Sequence, residues 1–75
     1  MSRHDYATVQ DIVRTAIAGY TAVSDDDTQT NEARQQARTD RDTAAATLQR
    51  MRTATDTTVG EIGHQYAAIV AAQNR

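Results

Sequence analysis

The sequence has no cysteine, no proline, no phenylalanine and no tryptophan, and only three glycines. Without cysteine, neither a disulfide nor a thiolate metal site can stabilise the fold. Without proline, and with so little glycine, the chain has few residues that interrupt a helix. Alternating β-branched and aromatic runs are also missing, so nothing indicates strands. We therefore expect an all-α protein.

Strong charge and long apolar runs are missing as well. The 75 residues carry a formal net charge of -2, and all eight basic residues are arginine. The chain therefore has no strong field of either sign. The longest unbroken apolar run, residues 66–72, is far shorter than a membrane span. No apolar segment typical of a signal peptide follows the first five residues. We expect one cytoplasmic domain.

Residues 4–23 show the clearest helical periodicity. Their apolar side chains follow steps of three and four residues, the spacing of the a and d positions of a coiled coil. These side chains are Tyr6, Val9, Val13, Ala16, Tyr20 and Val23, with Ile12 and Ile17 beside them. Ser2 and Asp5 have the spacing of a capping box. The pattern predicts a helix over about 4–23 and a turn over 24–27.

The segment from Asp25 to Thr47 contains no large apolar side chain. Its alanines, glutamines and arginines favour helix, so we expect a polar helix over about 26–55 that depends on its neighbours for burial. From Leu48 onward the apolar pattern returns and keeps its phase to Gln73.

Two arrangements of the C-terminal half follow. Residues 26–73 form one long helix, or the helix breaks near 56–60 and a second helix covers about 59–73. The capping-box spacing of Thr58 and Glu61, together with two glycines, favours the break.

The predicted fold is a helical hairpin or short three-helix bundle, completed by self-association. Its predicted core contains Tyr6, Val9, Val13, Ile17, Tyr20, Leu48, Met51 and Ile62. A chain this short buries little surface alone, and a second copy would add burial. The segment 66–72 is apolar on every side, and small residues allow helices to approach closely. We expect self-association through Gly63, Tyr66, Ala67, Ile69, Val70 and Ala71.

Charged side chains of the polar helix are the first candidate for a partner-binding surface. Arg34, Arg38 and Arg41 share one face, and Asp40 and Asp42 lie among them. Arg38 and Asp42 also have the i, i+4 spacing of an ion pair. The polar face of residues 25–47, or an apolar groove left between the helices, is our candidate for binding a larger protein. Binding of nucleic acid by the three arginines is the alternative, although the neighbouring carboxylates weaken it.

A Glu-x-x-His motif is the sharpest chemical pattern in the chain. Glu61 and His64 would lie on one face of a helix, as two of the ligands do in ferritin-like di-iron proteins. Such a site needs further carboxylates, and Glu32 is the only other glutamate. A metal site between subunits is therefore a distant alternative. Our interpretation is that Glu61 caps a helix, that His64 faces solvent, and that the protein has no cofactor.

The sequence has no nucleophile motif and no glycine-rich phosphate loop, so we do not expect an enzyme. We expect a small protein-binding module, an inhibitor or adaptor that acts through helix surfaces. Its size is typical of inhibitors encoded by phages and mobile elements.

Overall fold

The computed structural model describes residues 5–75 and consists of helices connected by short turns. Helix α1 covers Tyr6–Ser24, α2 covers Asn31–Arg50 and α3 covers Asp56–Gln73, with a 3-10 helix at Met51–Thr53. The structure is 85% helical, and the described residues form no strand. The all-α prediction is confirmed, as a three-helix bundle. None of the helices between residues 5 and 75 has the length and apolar character needed to cross a membrane.

Helix α1 begins where the Asp5 carboxylate accepts a hydrogen bond from the Thr8 amide at 2.9 Å. The predicted capping partner Ser2 lies outside the described residues. Along α1, the predicted stripe places Val9 and Val13 at 0% exposure. The stripe does not extend to Tyr6, which was expected in the core but is 40% exposed. Tyr6 is the first residue of α1, three residues before Val9, the first buried residue of that helix.

The connection between α1 and α2 is longer than predicted, and α2 begins at Asn31 instead of near residue 26. The Asp26 carboxylate accepts hydrogen bonds from the Thr28 amide at 2.9 Å and from the Thr28 hydroxyl at 2.6 Å. These bonds form a local turn that competes with helix, as aspartate side chains often do. Thr30 then becomes the N-cap, accepting a hydrogen bond from the Ala33 amide at 3.0 Å.

Helix α2 packs against α1 through small side chains. Ala37, Ala44 and Thr47 are its buried residues, and Leu48 is half-buried beside them. Alanines at a contact allow helix axes to come close together, so α2 contributes to the core without large side chains.

The chain takes the alternative with a break, but the break comes earlier than predicted. Ala54 is extended, and Thr55 is the N-cap of α3, accepting a hydrogen bond from the Thr58 amide at 3.2 Å. The predicted cap at Thr58 is wrong, because α3 already begins three residues earlier. There the Thr55 side chain accepts a hydrogen bond from the Thr58 amide. Helix α3 therefore starts at Asp56, ahead of the predicted residue 59.

Helix α1 is the centre of the bundle and packs against both α2 and α3, whereas α2 and α3 do not pack along their lengths. The Gln73 amide donates a hydrogen bond to the Ala16 carbonyl at 3.1 Å, so the end of α3 lies beside the middle of α1. The helices thus run up, down and up. The buried side chains form one core made of Val9, Val13, Ala16, Ala44, Met51, Val59, Ile62 and Tyr66.

Candidate functional site

An apolar groove runs along α1 at the end of the bundle where α2 begins and α3 ends. We call it the α1–α2 groove, and its volume is about 310 Å³. It is lined by Gly19, Tyr20 and Val23 of α1, by Ala33, Gln36, Ala37 and Asp40 of α2, and by Gln73 of α3.

The groove exists because the side chains facing it are too small to fill it. Helices α2 and α3 are joined by a short link at the opposite end of the bundle and do not pack on each other here. The Gln73 side chain lies against Gly19, Ala33 leaves space between the helices, and the larger side chains of Tyr20 and Val23 are only half-buried. An aromatic ring and an aliphatic side chain thus remain accessible to a ligand.

The polar side chains of the groove are Gln36 and Asp40 on α2 and Gln73 on α3. The Gln36 side-chain amide donates a hydrogen bond to Asp40 Oδ1 at 3.0 Å. Burial raises the pKa of Tyr20 above its ordinary value, and the charges of Asp40 and Tyr66 raise it further. The carboxylate of Asp40 is therefore close enough to influence the Tyr20 phenol. Between residues 5 and 75, the ion pairs use Asp27 and Asp42, not Asp40.

A second, more polar depression of about 470 Å³ lies at the opposite end of the bundle. Its lining consists of Arg50, Thr53, Ala54, Thr58, Glu61, Ile62 and Gln65. The Arg50 guanidinium donates a hydrogen bond to Thr47 Oγ1 at 3.1 Å, and Tyr66 donates to the same oxygen at 3.4 Å. The Tyr66–Thr47 hydrogen bond connects α3 to α2 beside this depression.

The three arginines of the predicted partner face are each engaged within the chain. The Arg34 Nε donates to the Ser24 carbonyl at 3.1 Å, and Arg34 pairs with Asp27 at 3.8 Å.

The other two arginines also have local partners. Arg41 pairs with Asp42 at 3.4 Å, and Arg38 donates to the Gln35 side chain at 3.2 Å. The predicted pair of Arg38 with Asp42 is not formed, because Arg41 holds that carboxylate. Asp40 and Asp42 also separate, since Asp40 lines the groove and Asp42 is exposed.

The predicted metal ligands do not converge in one chain. Glu61 and His64 are both exposed on α3. Glu61 lies at the same end of the bundle as Arg50, since both residues line one depression. Glu32 is 18 helical residues before Arg50, which places it about 27 Å away along the axis of α2. No group of three potential metal ligands occurs among residues 5–75. Glu61 also does not cap α3, since it lies more than a turn beyond the N-cap at Thr55.

The predicted self-association residues divide into two groups. Gly63 and Tyr66 are buried within the chain, and Ile69 and Val70 are half-buried. A second copy would therefore contact mainly Ala67, Ala71 and the exposed alanines beside them, Ala68 and Ala72.

Comparisons with known proteins found no matching family model, curated protein or solved structure. The groove therefore has to be interpreted from its own geometry. Sequence reasoning assigned Tyr20 to the core and did not select Val23, Ala33 or Ala37 as binding residues. A usable signal was present, because Ala33 and Ala37 are small residues one helical turn apart in a segment without large side chains.

Proposed function

We propose that the protein is a small cytoplasmic binding module, an adaptor or inhibitor that binds a larger protein without catalysing a reaction. The observation that carries this proposal is the α1–α2 groove, where Tyr20 and Val23 are only half-buried. Large apolar side chains that line a concave surface are typical of a recognition site.

The dimensions of the groove support a side chain of another protein as its ligand. A volume of about 310 Å³ is at the lower end of the range for small-molecule pockets, and the groove lies open beside α2. Recognition of an apolar side chain in a groove between helices is a common mode of peptide binding. The polar side chains, two glutamines and one aspartate, lie at the margin and leave the groove surface almost wholly apolar, which suits an apolar side chain.

The proposal can be tested by filling the groove. Ala33→Leu places a larger side chain on the groove wall, and leucine is nearly as good a helix former as alanine. Ala46→Leu is the matched control, because Ala46 is exposed and lies outside the groove. The wild-type protein and both variants would serve as bait in lysate of the source organism, after circular dichroism has shown equal folding.

We expect at least one protein to be retained by the wild type and by Ala46→Leu but lost with Ala33→Leu. That protein, once purified, should bind directly to the wild type and to Ala46→Leu but not to Ala33→Leu. Retention of an identical set of proteins by all three baits would contradict the proposal. Salt-sensitive retention of nucleic acid that is lost with Arg38→Ala would instead support the alternative function.

A further inference from the structure

We infer that the α1–α2 groove recognises an aliphatic side chain next to a basic residue, lysine or arginine, in a segment of the partner protein. This inference rests on the proposed function and specifies the chemistry of its ligand.

The requirement for an aliphatic side chain follows from the floor and walls of the groove. Tyr20 and Val23 offer an aromatic face and a branched aliphatic side chain, and Ala33 and Ala37 add methyl groups from α2. Burial of apolar surface is the main source of affinity at such a contact. A polar side chain would lose its hydration there, with only Gln36, Asp40 and Gln73 at the margin to replace it.

The requirement for a cation follows from Asp40. Its side chain is half-buried on the groove wall, and one oxygen already accepts the Gln36 amide hydrogen bond. No arginine lies within 4.0 Å of this carboxylate in the described part of the chain. A carboxylate beside an apolar surface attracts a basic group and disfavours an acidic one.

The other charged groups described at this end of the bundle do not supply a basic partner to Asp40. Arg34 is turned to the Ser24 carbonyl and Asp27, away from Asp40. Arg75 lies two residues beyond Gln73 and is exposed. The loop at the mouth adds only carboxylates, at Asp25, Asp26 and Asp27.

The experiment is a selection from a library of random peptides of about 12 residues, long enough for three helical turns. The library is displayed on phage, and binders to the Ala33→Leu variant are removed before each round. Enriched peptides are then synthesised, and their Kd values are measured by fluorescence anisotropy against the wild type and two further variants. Asp40→Asn removes the charge and keeps an oxygen for Gln36, whereas Asp42→Asn makes the same change on the exposed side of α2.

We expect the enriched peptides to share an aliphatic residue and a lysine or arginine within one helical turn. Asp40→Asn should weaken binding by about twofold to fivefold, the upper part of the range for exposed ion pairs, and Asp42→Asn by less than about twofold. Replacing the peptide's basic residue by glutamine should weaken binding to the wild type but not to Asp40→Asn.

The outcomes separate this inference from the proposed function. Peptides that need an open groove but carry no basic residue, or that bind Asp40→Asn as tightly as the wild type, would overturn the inference alone. Failure to enrich any peptide that depends on the groove would overturn both.

Discussion

Two glycines in helices provide the sharpest test of the packing, because the same substitution should have different effects at each. Gly60 lies inside α3, and a Cβ atom added there would meet nothing within 4 Å. Alanine in a helix interior is favoured over glycine by about 0.5–1 kcal/mol. Gly60→Ala should therefore stabilise the protein by that amount and raise Tm by about 2–8 °C for a domain of this size.

Gly19 lies inside α1, but here the added Cβ would come within 2.6 Å of the Gln73 carboxamide carbon and 2.8 Å of its nitrogen. The Gln73 side chain would have to move and lose its hydrogen bond to the Ala16 carbonyl. Such a bond contributes about 0.5–1.5 kcal/mol, which offsets the gain in helix propensity. We expect Gly19→Ala to stabilise the protein by at most about 0.5 kcal/mol and to destabilise it by at most about 1 kcal/mol, the limits of the difference between these terms.

Urea denaturation followed by circular dichroism measures both effects. A double-mutant cycle should reveal the cause, since Gly19→Ala should recover its full gain of about 0.5–1 kcal/mol once Gln73→Ala has removed the clash. The reasoning would be refuted if Gly60→Ala destabilised the protein, or if Gly19→Ala stabilised the wild type as much as Gly60→Ala does.

Three further predictions concern a buried hydrogen bond, the pKa of Tyr20 and the oligomeric state. Thr47→Val should destabilise the fold by about 1 kcal/mol because the buried Tyr66 hydroxyl loses its acceptor, and in denaturation curves this loss should shrink when Tyr66 is already phenylalanine. If Thr47→Val destabilised the Tyr66→Phe protein as much as the wild type, the hydrogen bond between Tyr66 and Thr47 would not contribute to stability. Because the pKa of Tyr20 is raised, its contribution to stability should be present below its ordinary pKa of about 10 and be lost as the pH rises through the folded-state value. Ultraviolet titration should show that Asp40→Asn lowers this pKa, and no change would place the carboxylate farther away. Light scattering coupled to size exclusion should give the mass of at least two chains at micromolar concentration, and Ala71→Glu, on the exposed side of α3, should give one. A single-chain mass for the wild type would contradict self-association.

Helical periodicity in the sequence predicts that the protein is helical and which sides of α1 and α3 are buried. Val9 and Val13, and likewise Ile62 and Tyr66, recur at the helical period, and side chains at that spacing must share one face. Local hydrogen bonding was harder to predict. Several residues could cap each helix, and small differences in turn geometry decided between them.

The placement of α2 and the position of the groove depend on how the three helices pack together. Periodicity identifies a buried face when large apolar residues mark it, and α2 has none before Leu48. Its burial through Ala37 and Ala44 depends on how closely α1 approaches, which is a property of the pair of helices. The separation of Asp40 from Asp42 has the same origin. Residues two positions apart in a helix lie about 200° apart around its axis. The position of α1 then determines which carboxylate reaches the groove and which faces solvent.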